Sequence, residues 1–214
     1  MHKYWDRSPT APEVAREVAP PGITIVFPPA GHRVAASGTL ILSCTAVDPD
    51  EGTIAPERIS WQSSRDGPIG TGPYLRLGGL SVGTHTITVW AVNASGAKGS
   101  ASVAIDVLAQ PTYKFTDIYS GVLLPRCVSC HYPAAADWPN HHLDLRTRAG
   151  LMAGGDTHAH ESIVPCRPES SLVWNKLTAE PPWVGAPMPS APNPKLPATL
   201  LEKLRVWIRE GAPP

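Results

Sequence analysis

Between residues 23 and 108 apolar and polar positions alternate in short runs. "ITIVF" (23–27), "TLILSCTAV" (39–47), "RISWQ" (58–62), "YLRLGGL" (74–80), "THTITVWAV" (84–92) and "SASVAIDVL" (100–108) are rich in Val, Ile and Thr, and several repeat with a period of two. Such alternation turns one face of each run toward a core and the other toward water. Gly, Pro, Asn and Asp separate the runs, and "NASGAKGS" (93–100) is placed to turn a hairpin. Short strands at this spacing, with no helical stretch among them, predict an antiparallel β-sandwich over 23–109. Ahead of it, residues 1–22 carry "SPTAPEVAREVAPPG", which offers little to bury and reads as a flexible tail.

After "AQPTY" (109–113) the period changes. "YKFTDIYSGVLL" (113–124) sets Phe115, Ile118, Tyr119 and Val122 on one helical face. Loops of Gly, Pro and His follow to about residue 168. "ESSLVWNKLTAE" (169–180) predicts a helix with Leu172, Val173 and Leu177 inward, and a Pro-rich loop covers 181–197. In the last helix Thr199 and Glu202 are spaced as a capping box, Leu201, Leu204 and Ile208 form a stripe, and Gly211 then Pro213 stop it. Residues 110–214 thus read as a small all-α unit, joined to the sandwich by a short linker and a modest interface, so that each half is expected to fold alone. Such a unit buries little by itself; a large apolar cofactor would complete its core.

The chain has 214 residues, 42% of them apolar, which allows two small domains with ordinary cores. Its 18 basic residues balance 18 acidic ones, so the charge points to neither nucleic acid nor an anionic membrane surface. No apolar run reaches the roughly 18–20 residues of a membrane helix. Met1-His2-Lys3-Tyr4-Trp5 is not followed by an apolar stretch, so no targeting segment is visible in this chain.

The candidate chemistry lies in "PRCVSCHYP" (125–133), which contains Cys127-Val128-Ser129-Cys130-His131. Two thiols three apart and an adjacent histidine allow a redox dithiol, half of a zinc site, or covalent attachment of a c-type haem. In the last case each thiol adds across one vinyl group, and the histidine supplies an axial nitrogen. Zinc needs four ligands, and Cys44 and Cys166 belong to no pair, leaving His141, His142, His158 and His160 to contribute. A thioredoxin-like dithiol needs a βαβ setting that this half lacks. A haem needs a sixth ligand to be low-spin. Met188, in "GAPMPSAP", sits on a proline-stiffened loop and is the natural candidate; the same four histidines are the alternative. Met152 in "GLMAGG" reads as a packing residue.

Around the motif, Arg126 and Arg146 are placed to meet a haem propionate or simply water, and Trp174 and Trp183 to line the crevice or the core. Asp48, Asp50 and Glu51 in "VDPDEG" offer oxygens to calcium, with a solvated acidic turn as the simpler reading. Cys44 and Cys166 remain, either bridged or free; free thiols are expected, because a side chain in a sandwich core does not easily reach another unit.

Residues 24–109 resemble bacterial immunoglobulin-like domains of extracellular proteins, through the strand rhythm, "VDPDEG", Trp61 and "GTHTITV". Residues 112–212 resemble the small cytochrome c domains of planctomycete-type secreted proteins. The resemblance runs through "FTDIYSGVLLPRCVSCH", "LDLRTRAGLMAGG", "SIVPCRPESSLVWNKLTAE", "APMP" and "LPATLLEKLRVWIREGA". It implies an all-α, class-I-like cytochrome c fold with its terminal helices packed together. It implies one covalent haem c on Cys127 and Cys130, with His131 and Met188 as axial ligands. Electron transport rather than catalysis follows, in the periplasm or outside the cell, with a redox partner protein of unknown identity and the immunoglobulin-like domain as spacer or docking module. A haem enzyme or ligand sensor with a labile sixth ligand, or an adhesion module carrying a haem domain, is the competing expectation. Two departures stand out. His141-His142 replaces the glycines usual before "LDL", which keeps bis-histidine ligation open, and Cys166 replaces the glycine usual after "IVP", which raises a disulfide.

Overall fold

The structure is a computed structural model and describes residues 18–132, 142–156 and 161–214. Nine strands come first: β1 (Gly22–Phe27), β2 (His32–Ala35), β3 (Thr39–Asp48), β4 (Gly52–Thr53), β5 (Ile59–Ser63), β6 (Gly67–Thr71), β7 (Tyr74–Gly78), β8 (Gly83–Val92) and β9 (Lys98–Leu108). In one sheet β3 is central, with β1 on one side and β4 and β7 on the other. The second sheet has the order β2-β9-β8-β5-β6. The alternation anticipated from the sequence is carried by Leu40, Leu42, Cys44 and Ala46 of β3, which face Ile59, Trp61, Ile87, Val89, Ile105 and Val107 in one core. The Trp61 indole N–H donates to the Gly72 carbonyl at 2.8 Å, which supplies the partner a buried tryptophan needs.

One strand departs from the antiparallel expectation. β2 pairs with β9 in parallel, His32 opposite Ile105 through Ala35 opposite Leu108. The chain leaves β1, crosses to the other sheet and joins its edge in the direction it is already travelling. β2, β4 and β6 left little trace in the hydrophobic pattern because they are short or rich in Gly and polar residues. The acidic turn carries its own hydrogen bonds. The Asp48 carboxylate receives N–H groups from Asp50, Glu51 and Asn93 at 2.9–3.2 Å, and Glu51 is held by Arg58 and the Ala94 N–H. Donors thus already face the Asp48 and Glu51 oxygens.

The C-terminal part is helical: α1 (Phe115–Ile118), a π-helical stretch (Tyr119–Leu123), α2 (Leu124–Arg126), α3 (Arg148–Ala153), α4 (Leu172–Thr178) and α5 (Ala198–Arg209). Ile118, Val122, Leu123, Leu151, Leu204, Trp207 and Ile208 make its core. The capping box expected at Thr199 is absent. Pro197 already holds an extended conformation (φ −57°, ψ 148°) at the helix entrance, and Glu202 bonds Arg205 instead. The stop is as expected: Gly211 turns the chain at φ +92° and Ala212 N–H returns to Trp207 at 2.9 Å.

The two parts meet along a backbone seam. β1 ends opposite Ser43, so the β1 side of β3 is open from Thr39 to Leu42. There Thr39 N–H donates to Gly211 O at 2.9 Å and Ala35 N–H to Glu210 O at 2.9 Å. The Cys166 thiol donates to Thr39 O at 3.1 Å. The Glu210 carboxylate takes Thr112 N–H and Oγ1–H at 2.7 and 2.6 Å. Gly38 fits because it has no side chain: a Cβ there would lie 2.5 Å from Glu210 O. The modest interface expected between the halves thus includes direct backbone bonds.

His32 lies at this seam, buried, with its Nε2 unpartnered among the described residues. Burial first, then the charge of Arg209, pulls it from 6.5 to about 4. The unfolded chain binds a proton there that the folded chain refuses. The stability that neutral His32 supports is therefore full above pH 6.5 and is lost as pH falls toward 4. The shift corresponds to about 3 kcal/mol. Replacing His32 with Leu is expected to flatten that acid limb, read as thermal midpoint against pH; an unchanged slope would mean other groups set it.

Candidate functional site

The motif sits where a helix is forced out of register. Pro125 has no N–H to return to Gly121, and the wider π turn just before it, with Leu124 N–H reaching Tyr119 O, takes up the mismatch. The chain then tightens. Cys127 and Val128 N–H both go to Leu123 O at 2.8 and 2.9 Å, and Cys130 and His131 N–H to Cys127 O at 3.1 and 3.0 Å. His131 O in turn accepts from Leu145 N–H at 3.1 Å, which ties the motif to the segment before α3.

This turn opens on a cavity of about 520 Å³, within the range of ligand and cofactor sites. Its wall is mostly apolar: Val122, Leu123, Leu143, Leu145, Leu172, Val173 and Leu177 among others. Three of the expected donors line it together, Cys127, His131 and Met188. Cys130, one turn on, is exposed beside it. Burial pushes the Cys127 thiol up to about 11, so it is a protonated thiol at neutral pH in the folded chain. Ser162 also belongs to the lining, and its hydroxyl is buried with no partner among the described residues.

Other expectations fall differently. Trp174 packs into the helical core and is not among the residues lining the cavity, and neither is Arg126 on its exposed turn. Arg146 pairs with Asp144 at 3.0 Å, and Trp183 is 46% exposed. Of the alternative histidine ligands, His142 lies outside the lining and bonds Asp156 at 2.7 Å; His141, His158 and His160 lie outside the described residues. Met152, read as packing, lines the cavity. Lys176, Glu161 and Ser162 went unnoticed in the sequence. Glu161 pairs with Arg76 of β7 at 2.8 Å, which brings the sandwich to the rim of the cavity.

Cys44 and Cys166 are both free thiols. Cys166 touches β3 at Thr39 and Ile41, the nearer three positions from Cys44 and on the order of 10 Å along an extended strand, beyond disulfide reach. Cys166 also holds φ +66°, the left-handed region where glycine is at ease. The glycine that the resemblance leads one to expect there suits the backbone; the cysteine accepts that strain and gains a bond to the sandwich.

An apolar cavity with thiols, an imidazole and a thioether around it groups donor types that transition metals take. Residues 127–189 match the Planctomycete cytochrome C family, so this segment is cytochrome-like, and cytochromes of that kind carry haem. Solved structures are similar over the N-terminal part. Fibronectin(III)-like modules of Clostridium thermocellum CbhA show 21% identity and a TM-score of 0.36, covering 42% of this chain and 98% of theirs. The PKD1 domain of Vibrio anguillarum Epp shows 13% identity and a TM-score of 0.34, covering 44% of this chain and all of its own. No curated protein matches the sequence. Among the described residues no helix is long and apolar enough to cross a membrane.

Proposed function

We propose that the chain is an extracytoplasmic electron carrier holding one haem c, with the C-terminal part adopting a cytochrome c fold. The observation that carries this reading is the single cavity shared by Cys127, His131 and Met188, residues drawn from two segments some 60 positions apart. The lining fits the group. Its wall is apolar, its cysteines are free thiols as thioether formation requires, and the Ser162 hydroxyl is left to meet a polar edge. In this reading Cys127 and Cys130 would hold the haem through thioethers, and His131 and Met188 would ligate its iron. The haem, when bound, supplies a one-electron Fe(III)/Fe(II) couple, whose potential methionine ligation raises. The chain's own residues would hold the group and exclude water, and with His131 and Met188 both ligating the iron no open position would remain for a substrate. Its electrons go to and from a redox partner protein, with the sandwich as spacer or docking module.

The test is the mass of the denatured protein after production in a host that exports it and attaches haem c. One haem should remain bound, and Cys127→Ser with Cys130→Ser should remove it. An unmodified mass from that host would overturn the proposal.

A further inference from the structure

Met188 stands in "APMP", where it has the one backbone N–H between two prolines. Such a segment has few donors with which to hold itself. The last turn of α4 supplies what is missing. The Asn175 side-chain oxygen accepts Trp183 N–H at 2.7 Å, and the Lys176 carbonyl accepts Met188 N–H at 2.8 Å. The Lys176 ammonium donates to the carbonyls of Val184 and Ala186, the latter at 2.8 Å. Between those carbonyls Gly185 turns at φ +57°, and a Cβ there would lie 3.2 Å from the ammonium nitrogen. The loop is therefore wrapped around the lysine head. Asn175 is 7% exposed, so its end of the anchorage is shielded from competing water.

We propose that Lys176 is a positioning residue for Met188, holding residues 184–188 against α4 so that the thioether faces the cavity, with Asn175 anchoring the near end of the same loop. The inference rests on Met188 being the sixth ligand. Lysine suits the task because one ammonium presents several donors at a single point, and the two loop carbonyls converge on that point. A planar guanidinium or a single amide does not reproduce it.

The experiment uses the matured, haem-bearing protein. Lys176→Met is expected to keep the covalent haem and its histidine ligand. It is expected to weaken the near-infrared methionine–iron(III) absorbance and to raise the affinity for added imidazole roughly tenfold. Met188→Ala runs beside it. If Met188→Ala leaves the absorbance intact, the ligand assignment fails and this inference fails with it. If Met188→Ala abolishes the absorbance while Lys176→Met matches the wild type in absorbance and imidazole affinity, the ligand stands and the positioning role is overturned. Should Lys176→Met fail to accumulate, Lys176→Gln takes its place. Its shorter amide does not span both carbonyls, so the same weakening is expected, and wild-type behaviour overturns the inference.

Discussion

Met188→Ala is expected to produce a matured cytochrome that has lost its methionine–iron(III) absorbance and binds imidazole or carbon monoxide readily. Met188 shares the cavity with His131, and its backbone N–H is fixed to Lys176 at 2.8 Å. With Met188 as the proposed ligand, an added ligand would have to displace the thioether in the wild type and nothing in the variant. Affinity gains about a factor of ten for each 1.4 kcal/mol of displacement no longer required. The midpoint potential should fall as well, because the thioether favours the reduced iron. Spectra of the ferric protein with and without imidazole check this directly. A variant with an unchanged absorbance would move the assignment to the histidines of the 141–160 region.

Gly38→Ala is expected to destabilise the protein by about 2–3 kcal/mol, although it adds one methyl group far from the cavity. The new Cβ would lie 2.5 Å from Glu210 O, 3.2 Å from Ala35 O and 3.2 Å from the Gly211 Cα. All three are backbone atoms that cannot rotate aside. The obstruction falls on the bonds that join the halves, Ala35 N–H to Glu210 O and Thr39 N–H to Gly211 O. In a chain of this size the thermal midpoint should drop by roughly 5–10 °C. Gly22→Ala is the control, since its Cβ would meet only Val47 O at 3.7 Å. Equal midpoints for the two variants would show that the seam does not bear on stability. For the same reason residues 110–214 expressed alone should be markedly less stable than the whole, contrary to what the hydrophobic pattern suggests.

The sandwich was legible where strands are long and alternate, as in β3, β8 and β9, and illegible where they are short, as in β2 and β6. The parallel pairing of β2 leaves no mark in a local pattern, because pairing direction depends on where the chain has just been. That Cys127, His131 and Met188 share a cavity was legible in part, because two cysteines and a histidine at that spacing draw the eye and a methionine between prolines is a poor core residue. Trp174 shows the limit. Its type suits a crevice, but the face of a short helix on which a side chain emerges is set by packing, and it emerged toward the core. Lys176 shows the converse, for a lone lysine in a helix reads as solvated until the loop that wraps it is seen. Cys166 was noticed as a departure and considered for a disulfide. Its actual role needed the register of β1 on β3, which leaves the edge at Thr39 open.

That open edge has a consequence for how the protein is made. Thr39 waits for Gly211, about 170 positions downstream, to supply its backbone partner. At 5–20 residues per second the ribosome takes roughly 10–35 s to cover that distance. For all of that time the nascent sandwich presents bare strand hydrogen-bonding groups of the kind that recruit other chains. A holding chaperone, or export that keeps the chain unfolded until it is complete, would shield the newborn molecule over that interval. Overproduction beyond the capacity of such protection should give aggregates seeded at the N-terminal half.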